Sequence, residues 1–461
     1  MKNWITLLIL ILAQSAAAQD TLKIDERLFL QMVWERSPYI QAKLLNPEWA
    51  EQQVRGATSA FQPELQGLYE QKQFNNDLYY SRSNAKLQVQ TPWAVKVGGG
   101  LVASDGIYLN PEANLPDAGL SYLSLELPLG AGLLTDKMRT ELKVARYQLT
   151  ANRIETGLSV NEQLFEAGKT YWKWYECLYM HNLALEAREV TLRRLEFVKA
   201  KQQIGEYAAV DTLEAYINWQ YRQAFYQEQY INWQRESRKL ASFLGIDKEL
   251  LMAPVVDPDF HFSPLDSTVW GDWAAAHPMM KLMDSQSGSY ESKERLAREY
   301  FKPTVNVKFD LQQDVTDPFL TSYNIEQNQY LGLKFELPIL LRSERARAKQ
   351  WALKNQMLEF ERENFSVQLN NAISANNAVQ STLDSNQSLW RSTAVNYGIL
   401  LNAEQQRFFL GESNNFLVNR REIQWLETRK KYIKNYVEYR IRVLEYYYLF
   451  ALLPNTVGYQ F

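Results

Sequence analysis

In the second half of the chain, Val305, Val307, Phe309 and Leu311 alternate with Asn306, Lys308, Asp310 and Gln312. A period of two marks a strand with one apolar and one wet face. After a polar loop the pattern returns. Leu331, Leu333, Phe335 and Leu337 alternate with Gly332, Lys334 and Glu336, and Pro338 stops the strand where a helical pattern begins. The first half ends its strands the same way, with Leu123, Leu125 and Leu127 alternating with Ser124 and Glu126 ahead of Pro128. Such strands fit a membrane barrel around a water-filled lumen. They fit equally a soluble antiparallel sheet with one solvated face.

The helical pattern sets the architecture. From about 135 to 203, and again from about 341 to 409, the chain runs roughly 69 residues with few glycines and no proline, which is about 100 Å of helix. Each run ends at a turn, at Gly205 or Gly411, and a return helix follows over about 208–245 or 414–453. At about 60 Å each return stops short, and the helix preceding each strand group, roughly 25–60 or 277–300, supplies the missing length. A Pro- and Asp-rich stretch over about 246–276 reads as an irregular collar between the two pieces. Trp219, Tyr226, Tyr230 and Trp233 share one helical face and read as a packing stripe.

These elements are written twice. The segment from Ser37 aligns without gaps to the segment from His277, matching Pro38 with Pro278 and Phe61-Gln62-Pro63 with Phe301-Lys302-Pro303. LSLELPL ending at Leu129 then matches LKFELPI ending at Ile339, and Ile204-Gly205-Glu206 matches Leu410-Gly411-Glu412. Four landmarks in one order define two tandem repeats, 19–276 and 277–461, with strands over about 61–128 and 303–338. The first repeat carries an extra segment, Leu78 to Ala118, expected to form an extracellular or barrel-rim hairpin.

Residues 1–18 have the grammar of a secretory signal: Lys2, a short apolar core from Ile5 to Leu12, and Ala16-Ala17-Ala18. Beyond them no stretch reaches the roughly 18 apolar residues of a membrane helix. The chain holds 50 Lys and Arg against 53 Asp and Glu, an acidic balance that argues against nucleic-acid binding. Cys177 is alone, so no intrachain disulfide forms, and His181, His261 and His277 lack metal-ligand spacing. No nucleophile elbow, metal motif or paired catalytic carboxylates point to an enzyme, and no cofactor is implied.

Two copies of helix, strand pair, Pro stop, very long helix, Gly turn and return helix, carried by FQPELQ, LSLELPL, KQQIGEYAAVDTLEA, FKPTVNV, LKFELPI and RFFLGES, resemble the TolC family of outer membrane efflux proteins. The fold class is therefore mainly α with membrane β. The resemblance implies very long helices forming a periplasmic α-barrel and four or so strands per protomer in a trimeric 12-stranded outer-membrane β-barrel. Strand edges left open by one chain cannot face lipid, so partners are required, and three four-stranded chains are the fewest that leave an open duct. The implied partners are two further copies of the chain, outer-membrane lipid, a periplasmic membrane-fusion adaptor and an inner-membrane pump of ABC, RND or MFS type. The implied activity is passive conduction of drugs, ions or secreted polypeptides; a periplasmic coiled-coil scaffold without channel activity is the alternative.

The resemblance places adaptor contact at the helix turns, here Lys201, Gly205, Glu206 and Asp211, with Arg407, Gly411 and Glu412. It also implies acidic rings six and nine residues after the second glycine, but Leu417 and Arg420 stand there, and Asp211 and Glu214 hold the same offsets after Gly205. A periplasmic constriction is expected from Leu417 packing and from Arg420 pairing with Asp211 or Glu214.

Overall fold

A computed structural model describes residues 22–246, 252–254, 276–317 and 325–459. The signal segment 1–18, most of the collar and His261 lie outside the described residues. In chain order the main elements are β1 (Leu22–Ile24), α1 (Glu26–Arg36), α2 (Pro38–Thr58), β2 (Glu64–Phe74), β3 (Asp77–Gln90), β4 (Lys96–Asp105) and β5 (Leu120–Pro128). There follow α3 (Lys137–Gln203), α4 (Ala209–Phe243), β6 (Met252–Pro254), α5 (Pro278–Glu299), β7 (Thr304–Asp314), β8 (Gln329–Glu336), α6 (Arg342–Phe409), α7 (Asn415–Leu449) and α8 (Leu453–Thr456). The helical hairpins of the two halves match closely: α3 has 67 residues and α6 has 68, while α4 and α7 have 35 each.

The chain divides into two compact units that cut across the repeat. One draws on Met1–Leu44, Thr156–Pro278 and Ser366–Phe461, the other on Leu45–Glu155 and Met279–Phe365. The second unit holds a six-stranded antiparallel sheet in the order β2-β3-β4-β5-β7-β8. A tight turn at Asn75 and Asn76, with φ of 53° and 71°, joins β2 to β3, since asparagine tolerates the left-handed conformation a two-residue hairpin needs. Strand β5 ends at Pro128, and the Leu129 N–H still donates to the Val305 carbonyl at 2.7 Å before α3 begins.

Strand register puts the alternation on one surface. Val89 lies opposite Val97, Val97 opposite Leu125, Leu125 opposite Phe309 and Phe309 opposite Leu331. The next row runs Leu65, Leu87, Gly99, Leu123 and Leu311. Since opposed residues share a face, this surface is apolar across all six strands. The other face carries Lys86, Lys96, Glu126, Lys308, Asp310, Lys334 and Glu336, with Lys96 Nζ 3.1 Å from Glu126 Oε1 and Lys334 Nζ 2.8 Å from Glu336 Oε1.

The segment 78–118 therefore departs from the rim hairpin expected of it. Residues 77–90 and 96–105 form two strands inside the sheet, joined by a short turn over 91–95, and a longer loop connects β4 to β5. The strand count rises accordingly from the expected four to six. Their alternation is hard to read because Ser83, Ala85, Gly99 and Ala103 take apolar-face positions where bulkier side chains would announce a strand. The glycine run also serves packing. A Cβ at Gly100 would run into the Ala85 carbonyl and the Tyr122 ring, so the bare backbone lets Tyr122 lie across β4 and donate to Asn84 Oδ1 on β3 at 3.2 Å.

The first unit is mainly helical, with β1 and β6 paired in parallel. Its core joins Phe29 and Leu30 of α1 to Leu164, Tyr171, Trp172 and Trp174 of α3, Leu240 of α4, and Ile433, Val437 and Leu444 of α7. Glu26 is buried in this core, accepting from Trp172 Nε1 at 2.7 Å and from Arg440 Nη2 at 3.1 Å. Burial raises its carboxyl above the ordinary range, against the pull of Arg440. The expected aromatic stripe packs here: Trp233, Tyr226 and Tyr230 of α4 surround His181 of α3, with ring centroids 5.2, 5.2 and 5.6 Å away. Cys177 is half-buried, and burial pushes its thiol up to about 11, which suits a packed side chain rather than a reactive one.

Candidate functional site

The two turns that close the helical hairpins are built alike. Gly205 has φ +80° and Gly411 has φ +79°, a left-handed conformation that glycine enters without strain. At the first, the Glu206 N–H donates to the Lys201 carbonyl at 3.0 Å; at the second, the Glu412 N–H donates to the Arg407 carbonyl at 2.8 Å. These bonds satisfy carbonyls that a helix end leaves orphaned. Charged side chains close over them: Lys201 Nζ is 2.6 Å from Glu206 Oε2, and Arg407 Nε is 3.9 Å from Glu412 Oε2.

Each return helix is then capped. Asp211 Oδ2 accepts from the Ala208 N–H at 3.0 Å, and Asn414 Oδ1 accepts from the Leu417 N–H at 3.0 Å. Phe197 and Tyr207 pack on Phe408, with centroids 5.8 and 6.3 Å away, while Phe197 also meets Phe409 at 4.9 Å. This aromatic cluster joins the two turns within the helical unit. Around it Ile204, Val210, Leu213, Leu410 and Phe416 are exposed.

The expected constriction residues are only partly assembled in one chain. Leu417 and Arg420 are exposed on the first turns of α7, and Asp211 and Glu214 sit half-buried at the start of α4. Among the described residues no ion pair links Arg420 to Asp211 or Glu214, and the Asp211 carboxylate is engaged by the Ala208 N–H.

A buried charge cluster that sequence reading missed lies behind the turns. Glu422 of α7 is 1% exposed and binds two guanidinium groups, Arg194 Nη2 of α3 at 2.8 Å and Arg222 Nε of α4 at 2.5 Å. The Thr191 hydroxyl adds a contact to the same carboxylate at 3.3 Å. One acid thus clamps three helices. A second acid, Glu404, accepts from the Ser413 hydroxyl and lies 4.0 Å from Arg421, tying the second turn to both its helices. The sequence holds no signal for the first cluster, since its partners stand 228 and 200 positions apart.

Among the described residues no group of three or more His, Cys, Asp or Glu could hold a metal ion, and no helix is long and apolar enough to cross a membrane.

No protein-family model matches the sequence, and no curated protein matches it. Solved structures do match. The Campylobacter jejuni CmeC outer membrane channel superposes with a TM-score of 0.70 at 12% identity, over 95% of this chain and 90% of its own. The Neisseria gonorrhoeae MtrE outer membrane channel in its open state gives 0.67 at 13%, over 92% and 88%, and the Vibrio cholerae outer membrane protein VceC gives 0.65 at 13%, over 93% and 95%. The fold is TolC-like. At these identities the likeness speaks for the fold, which agrees with the mainly helical class and the antiparallel strands expected from sequence. In this chain the turns at Gly205 and Gly411 close both long hairpins, the positions where the resemblance puts adaptor contact.

Proposed function

We propose that the chain is one subunit of a homotrimeric outer-membrane channel. Substrates pass through it passively, from a periplasmic adaptor and an inner-membrane pump to the exterior. The observation that carries this reading is the apolar sheet face, continuous over six strands and open to solvent in the single chain, with Leu333 71% exposed and Phe335 62% exposed. A soluble protein covers such a face, because water penalises it by about 25 cal/mol per Å²; lipid does not. The opposite face, lined by Lys and Glu pairs, suits a wet lumen. The two repeats, 19–276 and 277–461, each supply a strand group and a helical hairpin. The hairpins stand in the periplasm, and the turns at Lys201 to Asp211 and Arg407 to Leu417 meet the adaptor through their exposed Ile204, Val210, Leu410 and Phe416. Drugs, ions and secreted polypeptides are the substrate classes that this resemblance implies.

Membrane fractionation, detergent extraction and an unheated against a heated gel test the proposal. The expected result is an outer-membrane species near three times the monomer mass that collapses on heating. A monomer released without detergent would leave a periplasmic coiled-coil scaffold in its place.

A further inference from the structure

We propose that three copies of this chain close an eighteen-stranded barrel, each β8 edge pairing with the β2 edge of the next copy. The inference rests on the trimeric channel reading above. Among the described residues of one chain the sheet ends on two open edges, β2 and β8, both exposed along nearly their whole length. Unpaired backbone groups at an edge cannot face hydrocarbon, since each costs several kcal/mol there. The occupant that fits each edge is the other edge of a second copy. Strand β2 leaves from the end of the sheet where α2 enters, and β8 returns to that same end before α6, so the two run antiparallel when brought together. Six strands per chain is an even number, so the up-and-down order continues around a ring without a mismatch.

The inserted strands belong to the wall and not to a cap on it. β3 and β4 are hydrogen-bonded on both sides, between β2 and β5, and carry Leu87, Val89, Val97 and Leu101 on the shared apolar face. Tyr122 crosses β4 at Gly100 to reach Asn84, locking β3, β4 and β5 together from the polar side. With strands ~4.7 Å apart and tilted by ~40°, twelve strands close a backbone ring ~24 Å across and eighteen close one ~35 Å across. The wider ring keeps a water-filled bore even after side chains line it, as in porins of that strand number. The strand ring then sets no tight size limit, and selection of cargo falls to the helix turns at Gly205 and Gly411.

The register also supplies a matched control. Deleting Asp77 to Asp117 joins Asn76 to Ala118 and lets β2 pair directly with β5. With a two-residue turn at Asn75 and Asn76, Gly67 falls opposite Leu125 and Gln71 opposite Ser121, so apolar positions still meet apolar-face positions and no strand flips.

The test uses the full chain in a Cys177→Ala background. Cysteines at Gln66 or Leu68 are combined in turn with cysteines at Tyr330, Gly332 or Lys334, all on the polar face, and the trimer is imaged by electron cryo-microscopy in detergent. At least one pair is expected to crosslink neighbouring subunits into a covalent trimer, with Leu65 against Lys334, on opposite faces, remaining unlinked. The ring should show eighteen strands, and the deletion variant twelve, with a lower size limit for polymers entering from the barrel side. A trimer with twelve strands, or one in which no polar-face pair crosslinks, overturns the proposal while leaving the channel reading intact. A crosslinked dimer overturns both the strand count and the trimer. A detergent-independent monomer defeats the channel reading itself.

Discussion

Glu422 shows how much one side chain can hold. Among the described residues its carboxylate is the single acid paired with Arg194 and Arg222, so removing its charge strands two guanidinium groups inside the helical unit. Breaking a buried pair from one side costs about 3–5 kcal/mol. Glu422→Gln is expected to lower the heat-dissociation temperature sharply, and Arg194→Met added to it should recover part of the loss by removing one of the stranded charges. A gel-shift melting series on the parent and these two variants decides this; unchanged melting of the single variant would mean that water reaches the cluster. His181 predicts a pH effect. Burial among aromatic rings lowers its pKa below the ordinary 6.5, so the unfolded chain takes up the proton more readily than the folded one. Its contribution to stability is complete above pH 6.5 and is lost as pH falls through the depressed folded value. His181→Phe keeps the stacking and removes the proton, so the melting temperature should depend less on pH between about 7 and 5. Equal slopes for the two proteins would remove His181 from the account.

Among the elements, the sheet makes the sharpest distinction between neighbours. Leu333 and Lys334 are adjacent in β8, yet register assigns Leu333 to the apolar surface with Val307 and Lys334 to the polar one with Asn306. Leu333→Arg should therefore cost about 2–4 kcal/mol if it sits near mid-bilayer, visible as a reduced heat-modifiable fraction in outer-membrane preparations. Lys334→Leu should assemble normally. The reverse ranking would mean that the sheet faces have been assigned the wrong way round. Strands β5, β7 and β8 were legible in the sequence because bulky apolar residues fill consecutive apolar-face positions, Leu123 to Leu127, Val305 to Leu311 and Leu331 to Phe335. β3 and β4 were not, because half of theirs are Ser, Ala or Gly and their apolar character exists only once the neighbours are aligned. The long helices were legible from what they lack, and the turns from Gly205 and Gly411, whose positive φ no other residue adopts as cheaply. The Glu26 and Glu422 clusters were illegible because no local pattern marks acids whose partners arrive from the far end of the chain.

At the scale of the whole molecule, the wide ring proposed above would move the burden of closure to the helix turns, where this chain differs from the acidic rings that its resemblance implies. The geometry sharpens the expected constriction. Asp211 already accepts from the Ala208 N–H, so Glu214 is the acid left to face Arg420, and in one chain the two do not pair. Where copies of the turns converge, Arg420 of one subunit would then meet Glu214 of the next, with Leu417 supplying an apolar ring beside them. Two substitutions separate the components. Leu417→Ser wets the ring and should raise the resting conductance in planar bilayers without changing ion preference. Arg420→Glu replaces attraction with repulsion toward Glu214 and adds three acids to the ring of a trimer, so it should open the mouth and shift selectivity toward cations. Glu214→Arg combined with Arg420→Glu restores the opposite charges and should return conductance to its starting level. If both single variants conduct as the parent does, the narrowest point lies elsewhere, and the offsets after Gly205 and Gly411 carry no gate.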